Sequence, residues 1–124
     1  MDFVIKMAYT AGTQIFQKTY ELIKTVFEYT QGFPKSQRFV LGQRIENLTI
    51  NVLDGIILAN EGRNKAAILI KASVELEKIR VFTRLAKDLR FLDFEKYEFL
   101  SQQINEIGKM LGGWIKYSKN NKKT

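Results

Sequence analysis

Apolar side chains recur every three or four residues along most of this chain, and that period restricts it to amphipathic helices. The repeat is most regular near the carboxyl end, where successive spacings alternate between three and four through Tyr97, Leu100, Ile104, Ile107, Leu111 and Trp114. A heptad repeat of this kind places its apolar residues along one side of a helix. No strand-like alternation of useful length follows Thr10. The sequence therefore predicts an all-α protein.

Four helices are predicted from this period and from the residues that end helices, over residues 12–31, 36–60, 65–91 and 94–117. The single proline, Pro34, separates the first two, because the residue before a proline avoids helical backbone angles. Ser36 can cap the second helix, although Pro34 or Lys35 could begin it. Asp93 is a candidate N-cap for the fourth helix.

The first three helices each have a candidate core stripe. These stripes are Phe16, Tyr20, Ile23 and Phe27 in the first; Leu41, Ile45, Leu48, Val52, Ile56 and Ala59 in the second; and Leu69, Ala72, Leu76, Ile79, Phe82, Ala86 and Leu89 in the third. Short loops join the four helices, so neighbours should be antiparallel and form an up-down-up-down four-helix bundle. Residues 1–117 would be one domain and residues 118–124 a basic, disordered tail. Residues 1–11 could extend the first helix or pack as a separate arm.

The composition excludes several kinds of chemistry. The chain has no cysteine and no histidine, which removes disulfides, thiol catalysis, histidine general bases and ordinary zinc sites. Its carboxylates are scattered, and no phosphate loop or dinucleotide motif is present. We therefore expect no enzyme activity, cofactor, metal or small-molecule substrate. No apolar run reaches the ~20 residues that span a bilayer, so we expect a cytoplasmic protein without a membrane partner.

The charge is strongly positive, with 20 Lys and Arg against 13 Asp and Glu, a formal charge of +7. Such an excess favours polyanionic partners. On the third helix Arg80, Arg84 and Lys87 fall within about 60° of one another, with Arg90 beside them. Further candidates for nucleic-acid contact lie near the start of that helix and at the end of the chain, namely Arg63, Lys65, Lys116 and Lys119. This cationic ridge is either a solvated helix face or a surface for phosphate backbones.

A glycine-rich segment ends the fourth helix. Gly108, Gly112 and Gly113 lie beside the only tryptophan, Trp114. Each glycine costs a helix interior roughly 1 kcal/mol relative to alanine, so a close approach by a helix, a subunit or a ligand is expected there. Leu111 and Trp114 would be the anchors of this packing or oligomer contact.

A second basic cluster, Lys35, Arg38 and Arg44, lies near the start of the second helix. Arg38 and Arg44 point to different faces. One of them could therefore be structural and pair with Glu46 or with a neighbouring helix.

Several segments of the chain together resemble a known family. They are FPKSQRF (33–39), LGQRI (41–45), Arg80-x-x-x-Arg84-Leu85 and EIGKMLGGWI (106–115). In these it resembles the accessory variability determinant (Avd) proteins of diversity-generating retroelements, within the four-helix-bundle proteins encoded in 23S rRNA intervening sequences. The resemblance extends from about Tyr20 to Lys116. Pro34 and Arg38 are shared with the wider bundle family, and residues 1–11 do not align.

This resemblance implies a bundle that assembles into a homopentameric ring with a basic surface. Such a protein would bind a reverse transcriptase and template RNA or DNA, and would support mutagenic cDNA synthesis and retrohoming without an active site. Arg80 and Arg84 would belong to the basic surface. The alternative is an intervening-sequence-type protein that serves as a structural or protein–protein interaction module.

Overall fold

The fold is entirely helical over the residues that the computed structural model describes, which are 3–62 and 64–120, with side chains from residue 13 onward. The elements are α1 (Phe3–Thr30), α2 (Lys35–Gln37), a π-helical segment (Arg38–Gly42), α3 (Gln43–Glu61), α4 (Lys65–Asp88) and α5 (Phe94–Asn120). Because α2, the π-helical segment and α3 follow one another directly, they act as the second of four long helices. This part of the chain confirms the predicted four-helix, all-α class.

The four long helices pack in a closed square. Both α1 and α4 pack against α3 and α5. Helices α1 and α5 are antiparallel. Lys18 Nζ of α1 lies 3.0 Å from Glu106 Oε1 of α5. Further along α1, Thr25 Oγ1 accepts a hydrogen bond at 3.2 Å from Gln103 Nε2, which lies before Glu106 in α5. Arg44 and Gly55 of α3 lie against Phe82 and Ala72 of α4. Arg80 and Lys87 of α4 lie against Asn105 and Tyr97 of α5. These pairs are therefore antiparallel too, and the bundle is up-down-up-down. A pentameric ring stays a prediction.

The predicted core stripes are confirmed in most of α3, α4 and α5. Every predicted residue from Leu41 to Ala59 is buried, as are Leu100, Ile104, Ile107, Leu111 and Trp114 in α5. In α4 the stripe is buried except at Phe82, which is half-buried, and at Leu89, which follows the end of the helix and is 50% exposed.

The predicted core stripe of α1 is wrong. The buried apolar residues are Ile15, Leu22 and Val26, whereas Tyr20 is 47% and Phe27 is 39% exposed. Both sets repeat at helical spacing, and they lie on adjacent faces about 100° apart. Threonines fill the remaining core positions: Thr30 Oγ1 donates to Glu46 Oε2 on α3 at 2.5 Å. The prediction followed the large aromatic side chains, which are partly exposed. It missed the buried stripe because two of its positions, Thr19 and Thr30, are polar.

Some predicted helix ends also differ from the structure. Helix α1 begins at Phe3 rather than at residue 12, and α5 continues to Asn120, so residues 118–120 are helical although a disordered tail was expected. Residues 121–124 of that tail lie outside the described residues. The second long helix begins at Lys35 with Pro34 in the N-cap position, which places Ser36 inside the helix.

The turn between α4 and α5 has a helix cap on each side: the predicted N-cap of α5 and a C-terminal cap of α4 that the sequence did not predict. Asp93 Oδ1 accepts a hydrogen bond from Lys96 N at 2.8 Å, which confirms Asp93 as the N-cap. Phe91 N donates to Ala86 O at 2.8 Å and Arg90 N to Lys87 O at 2.9 Å, the two bonds of a Schellman motif. This motif ends α4 at Asp88, short of residue 91, and requires a left-handed residue, which is Arg90 at φ 66°.

We expect Arg90→Gly to raise the free energy of unfolding by about 0.5–1 kcal/mol, because glycine adopts the left-handed conformation without the strain of a side chain. Urea denaturation followed by circular dichroism would measure the change. Arg90→Ala removes the same charge and keeps the strain, so it should not stabilise the protein. Equal effects of the two substitutions would contradict the strain explanation.

Candidate nucleic-acid interface

The cationic ridge predicted on the third helix is present on α4, but carboxylates of the same helix partly neutralise it. Arg80 Nε lies 3.2 Å from Glu77 Oε2. Arg84 Nε lies 3.8 Å and Lys87 Nζ 3.4 Å from the carboxylate of Asp88. These ion pairs are largely exposed, and such pairs contribute only about 0–1 kcal/mol each. A phosphate can therefore replace the carboxylates at little cost.

Arg80 connects this α4 ridge to α5. Its Nη1 donates to Asn105 Oδ1 on α5, and its Nη2 lies 3.7 Å from where a β-carbon on Gly108 would stand. A shallow groove separates the two helices here, lined by Ser73, Glu77, Arg80, Asn105, Gly108 and Lys109 among others. A β-carbon on Gly108 would make only ordinary van der Waals contact with the Arg80 guanidinium.

Lys109 is a basic residue of this surface that the sequence analysis missed. It is exposed and lines the same groove as Arg80. Its spacing of four residues from Asn105 and seven from Lys116 places all three on one face of α5. That spacing was a usable signal, although only the packing of α5 against α4 shows that this face adjoins the ridge.

The other predicted nucleic-acid contacts fall into two groups. Arg90 is exposed in the turn after α4, at the same end of the bundle as Arg84. Lys65 begins α4, whereas Lys116 and Lys119 lie near the end of α5. Because α4 and α5 are antiparallel, these three lie at the opposite end of the bundle. Arg63 lies outside the described residues.

The glycine-rich segment divides into a packed side and an open side. Leu111 is fully buried and Trp114 is 7% exposed in the bundle core. A β-carbon on Gly108 would stand 3.6 Å from Leu76 Cδ2 on α4. Nothing lies within 4 Å of a β-carbon on Gly112 or Gly113, so the close approach expected there is not made within the described chain. Their contact with a second subunit stays a prediction.

Pro34 and Arg38 lie at the turn that begins the second long helix, and Arg44 lies further along that helix. Arg38 Nε donates to Phe33 O at 3.4 Å, and the Arg44 guanidinium lies 5.7 Å from the centre of the Phe82 ring on α4. The suggested pairing with Glu46 is not observed, since Glu46 accepts from Thr30 instead. Both arginines therefore have structural contacts, to a turn and to a neighbouring helix.

Residues 3–62 and 64–120 contain neither a candidate metal site nor a candidate membrane span. No group of three or more Asp or Glu residues there could hold a metal ion. None of the helices in the same ranges combines the length and the apolar character that crossing a lipid bilayer requires.

An antiparallel four-helix bundle with an exposed basic face is the class of protein that these features define. A family model described as bAvd-like matches residues 14–118, which is most of the chain. The protein therefore belongs to the bAvd-like family, as the resemblance in its sequence indicated.

A solved structure shows the same fold. It is a protein of unknown function from the S23 ribosomal protein family of Bacteroides thetaiotaomicron, with a TM-score of 0.78 and 19% sequence identity over 86% of this chain and 98% of that chain. At this identity the likeness establishes the fold alone. A search of curated proteins found no match to the sequence.

We expect Trp114→Ala to lower the free energy of unfolding by about 3–5 kcal/mol, because it leaves a large cavity in the core. Urea denaturation would measure the loss. Phe99→Ala on the same helix is a matched control, since Phe99 is 47% exposed and its truncation should cost much less. Similar losses in both variants would contradict the burial of Trp114.

We expect Gly112→Ala to raise the free energy of unfolding by about 0.5–1 kcal/mol, because the added methyl group meets nothing in the chain and alanine favours a helix. Gly55→Ala is the control: its β-carbon would stand 3.2 Å from Ala72 Cβ and should cancel that gain. Light scattering on a third variant, Gly112→Leu, tests the subunit contact. A smaller oligomer in Gly112→Leu would support that contact, and an unchanged oligomer would contradict it.

Proposed function

We propose that this protein is a non-enzymatic accessory protein of a diversity-generating retroelement, which binds the reverse transcriptase and template RNA or DNA through its basic surface during mutagenic cDNA synthesis. The single observation that carries the nucleic-acid part is the partly exposed α4 ridge of Arg80, Arg84 and Lys87 with exposed Lys109 beside it. Membership of the bAvd-like family supports the assignment to a retroelement. It also supports an accessory rather than a catalytic role.

Binding would proceed by exchange of ion-pair partners. Arg80 and Arg84 now face Glu77 and Asp88, and a phosphate offers each guanidinium a bidentate acceptor in place of a carboxylate. Contacts of this kind fix the position of a nucleic-acid backbone without reading its sequence. The affinity should therefore fall steeply with salt.

Assembly into a homopentameric ring, which the family resemblance implies, would strengthen this binding. A ring repeats the α4 ridge once per subunit, and a polyanion that contacts several ridges dissociates more slowly than one that contacts a single ridge. The reverse transcriptase would then meet a nucleic acid that is already held on the accessory protein.

A second candidate function is a structural or protein–protein interaction module. The observation that favours it is the ion pairing within the α4 ridge, where each of Arg80, Arg84 and Lys87 has a carboxylate partner. In that case the ridge is a solvated helix face, and the protein has no measurable affinity for polyanions.

We expect the triple variant Arg80→Glu, Arg84→Glu, Lys109→Glu to lose most of its affinity for RNA and DNA, because three attractions to phosphate become repulsions. A gel-shift titration over a series of salt concentrations would measure it. The slope of log affinity against log salt should fall by about one for each phosphate that the variant no longer binds.

The control for this variant carries the same change in net charge elsewhere. Lys18→Glu, Lys24→Glu, Lys71→Glu reverses exposed lysines outside the groove between α4 and α5, and should bind nearly as the wild type does. If both triple variants lose affinity equally, net charge alone explains the binding. If the wild type binds no nucleic acid, or binds it without dependence on salt, the structural module is the better assignment.

A further inference from the structure

Two of the three most exposed large apolar side chains in the described part of the chain lie next to each other in the π-helical segment. Phe39 is 77% and Val40 is 63% exposed, whereas Leu41 and Gly42, which follow directly, are buried. Exposed apolar side chains that adjoin one another mark interaction sites more often than isolated ones do. Neither residue belongs to the α4 ridge, so the proposed nucleic-acid surface leaves both unexplained.

The exposed pair lies within the π-helical segment, Arg38–Gly42. Gln43 N–H donates to Arg38 O, five residues back, which is the bond of a π-turn and inserts one extra residue into the helix. The segment is anchored on its inner side, where a β-carbon on Gly42 would stand 3.4 Å from both Thr30 Cβ and Gln37 O. Phe39 and Val40 are exposed while Leu41 and Gly42 are buried, and π-turns of this kind occur frequently at functional sites.

The charges around these residues are all of one sign and have no carboxylate partners. Lys35, Arg38 and Arg44 flank the pair, and no Asp or Glu occurs between Glu28 and Glu46. None of the three forms an ion pair within the described residues, in contrast to the paired bases of the α4 ridge. The sequence around the exposed pair is therefore basic and free of carboxylates, with Lys35 four residues before Phe39 and Arg44 four residues after Val40. Arg38 is bonded to the Phe33 carbonyl and Arg44 lies over the Phe82 ring, and neither contact neutralises a positive charge.

We propose that this surface, formed by Phe39 and Val40 with Lys35, Arg38 and Arg44, docks a segment of another protein that carries acidic residues around an apolar anchor. Aromatic and arginine side chains are enriched at the centres of protein interfaces, and an apolar anchor with a complementary charged rim gives both affinity and orientation. A nucleic acid fits less well, because aliphatic Val40 offers no ring on which a base can stack. A lipid surface fits less well too, because membrane-bound helices need an extended apolar face rather than one turn.

The test uses a synthetic, fluorescein-labelled peptide of 16 residues with leucine at every third or fourth position and glutamate elsewhere. A second peptide has lysine in place of every glutamate. We expect fluorescence anisotropy with the full chain to detect binding of the acidic peptide and not of the basic one. The double variant Phe39→Ser, Val40→Ser should weaken binding at least about tenfold, as truncation of a hot-spot residue does.

The chain offers a matched control for each substitution. Ile57 and Leu58 are also adjacent on the second long helix, 42% and 57% exposed, and Ile57→Ser, Leu58→Ser should change the affinity by less than about twofold. Lys35→Glu should weaken binding of the acidic peptide, and Lys71→Glu should not. Circular dichroism of all four variants should match the wild type, since every altered side chain is exposed.

The following results would each contradict the proposal. Equal binding of the two peptides, or equal losses in the Phe39/Val40 and Ile57/Leu58 variants, would show that no specific docking surface exists. A change of oligomer size in Phe39→Ser, Val40→Ser would assign the surface to a second copy of this chain. Loss of RNA binding or of binding to anionic vesicles in that variant would assign it to nucleic acid or lipid. Because the α4 ridge is intact in all these variants, failure here leaves the proposed nucleic-acid function unaffected.

Discussion

Burial of the α5 seam is the constraint on which the rest of the structure depends. Leu100, Ile104, Ile107 and Leu111 are at most 2% exposed, and each buried side chain of this size contributes about 1.5–3 kcal/mol. Since α5 packs between α1 and α4, the seam fixes both neighbours at once. It sets the register in which Asn105 meets Arg80 and therefore the relative position of the two basic helix faces. The candidate interface is a consequence of core packing.

The sequence predicted the core best where the buried stripe continues at helical spacing without interruption. This holds in α5 and in the second long helix, although exposed apolar side chains such as Phe99 and Phe39 lie on their other faces. In α1 two adjacent stripes were candidates, and the larger side chains, Phe16 and Tyr20, lie on the wrong one. The π-turn could not have been predicted, because one inserted residue leaves no local mark and depends on how Gly42 packs against α1.

The candidate site divides in a similar way. The shared face of Arg80, Arg84 and Lys87 followed from helix geometry alone, and the partners Glu77 and Asp88 were also readable from spacings of three and four residues. The contact of Arg80 with Asn105 joins residues 25 positions apart, and only the tertiary packing creates it. The same packing brings Lys109 into the groove. The basic residues of α4 could therefore be predicted from the sequence, whereas the groove between α4 and α5 could not.

Acidic residues lie at the beginning of α5 and lysines near its end, and this order stabilises the helix itself. Glu95 and Glu98 lie in the first two turns and Lys116 and Lys119 near the end. This order complements the helix macrodipole, which is positive at its beginning and negative at its end. The terminal lysines therefore favour the folded helix even without a partner. Selection for stability and selection for the proposed polyanion binding would act on them in the same direction, so a relative that bound no nucleic acid could still keep these lysines for the sake of the helix.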